Sequence, residues 1–123
     1  MALTELKKLK GQKLWQNGKV KSFHIELSDI VRKYIENGLK IQALESTTDE
    51  LFVVLKNSDI PKESYSELQG SLKLADLVKF AKLIPLGNEN ERCYSNVLDF
   101  IIKTKPVEEE NTDNKSIEKT DYV

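Results

Sequence analysis

The chain has 123 residues, 39% of them hydrophobic and 32% charged, with a net charge of -1. That is enough for one hydrophobic core and too little for two ordinary domains. No stretch approaches the roughly 18 consecutive apolar residues of a membrane span, and MALTELKKLK lacks the apolar segment of a signal peptide. One cysteine, Cys93, excludes an internal disulfide and fits a reducing compartment. One histidine excludes His/Cys zinc clusters.

The near-neutral balance conceals an asymmetry. Residues 1–21 carry six lysines against Glu5 alone, whereas residues 105–123 carry six acids against three lysines. Leu3, Leu6, Leu9, Leu14 and Trp15 mark a helical lead-in over 2–17 that Gly11 weakens. The reading is a frayed first part and a firmer second part around Lys13 to Gln16, closed by Asn17 and Gly18. Trp15 is expected to anchor on the helix that follows.

That helix, over 19–38, carries the cleanest signal. Phe23, Leu27, Ile30, Val31, Tyr34 and Ile35 fall on one stripe, and Lys21, Ser22, Glu26, Asp29, Lys33 and Glu36 on the other face. It should be the hub of a bundle, with Gly38 as the residue just past its end. His24, beside the stripe, is expected at the surface or half buried. Leu39, Ile41, Ala43 and Leu44 should then fill the core's edge. STTDE offers two overlapping capping boxes, Ser46 with Asp49 or Thr47 with Glu50, for a short helix through Lys56 burying Leu51, Phe52, Val54 and Leu55.

Pro61 suits the first turn of the next helix, with Ser58 or Asp59 as its cap. Tyr65, Leu68, Leu72 and Ala75 form one stripe and Leu74, Leu77, Val78 and Ala81 a second, which implies burial on two sides. Gly70 allows a bend, and Pro85 ends the helix by Ile84. Asn88 with Glu91 signals a last helix whose buried stripe is Tyr94, Val97, Leu98, Ile101 and Ile102, ending near Lys103. Beyond it the acidic, aperiodic segment reads as disordered. The expected fold is all-α, a bundle of about five helices: a basic, partly ordered lead-in at 1–12, the bundle at 13–104, and a disordered acidic tail at 105–123.

Motifs that carry chemistry are missing from the sequence. It has no glycine-rich phosphate loop, no GxSxG and no HExxH. Cys93 reads as a small apolar residue, and carboxylates such as Glu26, Asp29 and Glu36 as a solvated face. No cofactor and no metal site is expected, and no catalytic residue. Lys7, Lys8, Lys10 and Lys13 admit three readings: solubilising charge, contacts to nucleic acid phosphates, or a juxtamembrane segment. A helix-turn-helix over 46–83 fails on charge, because its reading helix would carry Lys62, Glu63 and Glu67. Nucleic-acid binding is therefore the alternative and not the leading expectation.

The residues Leu14, Trp15, Gly18, Leu27, Arg32, Tyr34 and Ile35, then Ala43, Glu45, Thr47, Thr48 and Glu50, then the run from Ala75 to Lys82, form a recognisable combination. Over residues 13–102 the chain resembles the cytoplasmic C-terminal region of bacterial single-span membrane proteins. Those proteins are encoded with the Bat aerotolerance proteins, near a MoxR-type AAA+ ATPase and von Willebrand factor A domain proteins. Gly38 to Lys40 departs from that pattern, which has a bulkier and more basic helix end. The resemblance implies a non-catalytic docking domain of an envelope or stress-related protein at the cytoplasmic side of the inner membrane. Its implied partners are the ATPase or the von Willebrand factor A proteins, and its lysine-rich start would follow an upstream membrane helix. Phe80 stands off its helix's main stripe, so Asp76, Lys79, Phe80 and Lys82 are the candidate partner surface; filling the core is the plainer role for Phe80.

Overall fold

A computed structural model describes residues 2–105, which form five helices: α1 (Ala2–Gln12), α2 (Val20–Gly38), α3 (Thr48–Lys56), α4 (Lys62–Ala81) and α5 (Gly87–Thr104). No strand occurs among the described residues, so the fold is the expected all-α bundle of five helices. The expected disordered tail, apart from Lys105, lies outside the described residues.

Helix α2 packs against α1, α4 and α5, and the most extensive pairing is α4 with α5. Its buried face is wider than one stripe. Phe23, Leu27 and Ile30 are joined by His24, Ser28, Val31, Arg32 and Ile35, because neighbours cover the helix from two sides. Helix α3 packs on α4, and Arg32 of α2 donates to its Thr48 hydroxyl.

The lead-in behaves opposite to expectation. Residues 2–12 form a regular helix with Leu6 and Leu9 buried, while Lys13–Gly18 is a turn. Leu6 and Leu9, three apart, meet the core. Tyr94 of α5 donates its hydroxyl to the Leu6 carbonyl at 2.9 Å. Burial of two leucines at roughly 1.5 to 3 kcal/mol each outweighs the ~1 kcal/mol helix cost of Gly11. The partly ordered 1–12 segment is therefore corrected: α1 belongs to the bundle.

Helix ends differ from expectation in detail. Gly38 stays helical, and Lys40 takes the left-handed conformation (φ 62°) that lets Ile41 N–H reach the Ile35 carbonyl at 3.2 Å. Of the two capping boxes Thr47 with Glu50 forms, each backbone N–H bonded to the other's side chain. Pro61 is itself the residue before α4, without a side-chain cap, and α4 continues through Gly70 as one helix. At α5 the capping partner is Glu89, whose carboxylate accepts Leu86 N–H at 2.8 Å, and Asn88 plays no such part. Leu86 has no side-chain acceptor, so this is half a box. The predicted second stripe of α4 is buried only in part: Val78 is buried and Leu74 half buried, but Leu77 and Ala81 are exposed. Leu44, Val54 and Ile102 are also exposed, whereas Phe100, absent from the expected stripe, is fully buried.

Candidate docking surface

Chain reversal brings the α1–α2 turn and the α4–α5 connector to the same end of the bundle. The Trp15 ring lies so close to Gly87 that a Cβ there would sit 3.1 Å from the indole. Between them, residues 13–19 and 79–88 contain Lys13, Lys19, Lys79 and Lys82 and not one acid. The connector is unusual in a second way. Pro85 is buried, but Phe80, Ile84 and Leu86 are exposed at 80%, 79% and 68%, and Leu77 one turn earlier at 50%. Burial of Phe80 in the core is thus replaced by near-complete exposure. Lone apolar side chains at a surface are ordinary, but several together on one segment mark an interaction site.

The geometry of α4 produces this exposure. Its buried positions are Ser64, Leu68, Ser71, Leu72, Ala75 and Val78, so Lys73, Leu77 and Phe80 fall on the opposite face. Lys82 is left-handed (φ 59°), and Leu83 N–H returns to the Leu77 carbonyl at 3.1 Å, which turns the chain outward at Ile84. Asp76 and Lys79 are half buried on the flank, 3.8 Å apart, and the Lys79 ammonium lies 5.5 Å from the centroid of the Phe80 ring. Of the four predicted surface residues, Phe80 and Lys82 are exposed and Asp76 and Lys79 form a shielded pair beside them.

The predicted basic segment is divided. Lys13 joins the lysine-bearing end formed by the α1–α2 turn and the α4–α5 connector. Lys8 borders a surface groove with Glu5, Glu26, Asp29 and Lys33, and Lys10 lies 5.8 Å from the Tyr94 ring centroid. Lys8 therefore sits in mixed charge and not on a uniform phosphate-binding strip. A shallow cleft walled by Leu14, Trp15, Phe23, Tyr94 and Glu91 opens between the α1–α2 turn and α5.

Two buried polar arrangements hold this end and the α2–α3 connector in place. His24 is fully buried, contrary to its expected half-exposed position, with Nε2 2.7 Å from the Asn90 side-chain oxygen. A carbonyl oxygen only accepts, so the proton sits on Nε2 and buried Nδ1 has no partner. Burial lowers the imidazole pKa; the Asn90 bond opposes this and the charge of Lys79 adds to it. Arg32 donates to the carbonyls of Ala43 and Ser46 at 2.8 and 2.6 Å and to the Thr48 hydroxyl at 3.0 Å. From the other side Glu36 accepts the N–H groups of Ala43 and Leu44, and these bonds hold its carboxyl below the usual range. The sequence carried a signal for His24: it lies on the line of Ser28, Val31 and Ile35 at i+4, i+7 and i+11.

Cys93 is buried, its thiol pKa raised by desolvation, as befits a small apolar residue. Among the described residues no three His, Cys, Asp or Glu side chains gather as a metal site, and no helix is long and apolar enough to cross a membrane. Comparison with protein-family models, curated proteins and solved structures finds no match to this chain.

Proposed function

We propose that this chain is a non-catalytic docking domain whose binding face is the exposed side of α4. Lys73, Leu77 and Phe80 form that face, the Asp76–Lys79 pair flanks it, and Lys82 ends it. The observation that carries this reading is the exposure of Phe80 and Leu77 on a helix whose opposite side forms the core. An exposed aromatic next to an aliphatic residue suits an interface centre, and the lysines around it suit a polar rim. The sequence resemblance supplies the setting: the cytoplasmic side of a bacterial inner membrane, with a MoxR-type ATPase or a von Willebrand factor A domain protein as partner.

The test is capture of those two proteins from cells by the full chain and by its Leu77→Ser/Phe80→Ser variant, read by mass spectrometry. Both side chains are exposed, so the variant should keep wild-type stability within about 0.5 kcal/mol. Recovery of either partner by wild type, with a loss of about tenfold or more in the variant, is expected. Equal recovery by both chains rejects the α4 face.

A further inference from the structure

A second surface, which meets the α4 face at Lys82, lies at the end of the bundle where the α1–α2 turn meets the α4–α5 connector. We infer that this end docks on an anionic lipid bilayer. Ile84 and Leu86 enter the headgroup region, and Lys13, Lys19 and Lys82 lie on the lipid phosphates. Three observations converge on this partner. First, Ile84 and Leu86 are 79% and 68% exposed on a connector whose Pro85 is buried, so the buried residue fixes a loop from which the apolar side chains protrude. A protruding apolar tip needs a cavity in a protein partner, whereas a bilayer interface deforms around it.

Second, lysines predominate at this end: its nearest carboxylates are Glu89, turned back onto the Leu86 N–H, and Glu91, in the cleft beside Trp15. Residues 13–19 and 82–88 hold Lys13, Lys19 and Lys82 and no acid, in a chain that is net acidic overall. A surface of uniform negative charge complements that arrangement, and each lysine brought near it contributes about fivefold in partitioning. Third, the two loops are tied to each other. The Trp15 ring packs against Gly87, and the buried His24–Asn90 bond joins the second turn of α2 to the first turn of α5, so the two loops are held as one platform. Contacts made by both loops at once then add without a further ordering cost.

The platform contains its own reporter, because Trp15 is the only tryptophan of the chain. The experiment uses the full chain with vesicles of phosphatidylcholine alone or containing phosphatidylglycerol, read by co-sedimentation and by quenching of Trp15 with brominated lipid. Binding to the anionic vesicles, with quenching, is expected. It should fall about tenfold or more on phosphatidylcholine alone, in Ile84→Ser/Leu86→Ser, and in Lys13→Gln/Lys19→Gln/Lys82→Gln. Circular dichroism and thermal melting of the variants confirm that they fold, and Lys73→Gln on the α4 face should bind vesicles as wild type.

Failure to sediment with anionic vesicles at low salt overturns the inference. So does binding that ignores the Ile84/Leu86 change and is matched by duplex DNA, which would make the end a phosphate-binding surface for nucleic acid. The α4 face is judged separately. A wild-type chain that captures its protein partner but does not bind anionic vesicles removes the lipid inference alone, and one that binds vesicles but captures neither protein removes the proposed protein dock alone.

Discussion

His24 shows how one residue can set a pH limit on the fold. It is the only histidine, so it is the only side chain whose ordinary pKa lies between pH 5 and 7. In the native state burial holds it neutral, with Nε2–H given to Asn90 and no acceptor for a second proton on Nδ1. The unfolded chain takes up that proton near pH 6.5. Stability is therefore complete above pH 6.5 and falls below it, by up to about 1.4 kcal/mol per pH unit, until the lowered native pKa is reached. Urea unfolding at pH 7.0 and 5.5 should show this loss in wild type and a flatter dependence in His24→Gln; equal slopes would remove His24 as the cause. Glu36, whose pKa is also lowered, acts in the more acidic carboxylate range and does not confuse this window.

At the level of elements, helix existence was legible in the sequence and helix ends were less so. The start of α2 follows from the Asn17–Gly18 stop and its body from sustained spacing between Phe23 and Ile35. The end of α2 was misplaced because glycine is the usual left-handed residue, yet here Lys40 takes that role and Gly38 lies under the Tyr34 ring, 3.1 Å from where a Cβ would be. A non-glycine residue in this conformation costs about 1 to 2 kcal/mol, and glycine loses 0.5 to 1 kcal/mol more chain entropy on folding. Lys40→Gly should accordingly raise stability by a few tenths to about 1 kcal/mol, visible as a higher thermal midpoint, whereas a drop would mean that the lysine side chain contributes more than its backbone strain. The candidate surface was partly readable. Phe80 off its stripe pointed to it, but the exposure of Ile84 and Leu86 depends on how Lys82 turns the chain, which side-chain periodicity does not encode.

For the molecule as a whole, the main revision concerns α1. Composition suggested an appendage because lysines dominate residues 7–21, but two leucines and the Tyr94 bond make it a wall of the core. Removing residues 1–12 should cost on the order of 3 to 6 kcal/mol from the burial of Leu6 and Leu9 alone. Chemical denaturation of that truncated chain against the full chain measures it, and unchanged stability would restore the dispensable lead-in. The buried network of Arg32 was invisible for a different reason: a lone arginine among helix-forming residues does not announce that it will cross to carbonyls 11 and 14 positions away.

Helix α5 is fastened at three levels: Asn90 to His24 at its start, Tyr94 to the Leu6 carbonyl one turn on, and Thr104 at its last turn to the Tyr34 hydroxyl at 2.9 Å. Sliding by one helical turn, about 5.4 Å, would break all three at once. The helix is thus a locked rail. A displacement of the lysine-bearing end that left these three bonds intact would have to carry the rod as a whole, with no change of register along it.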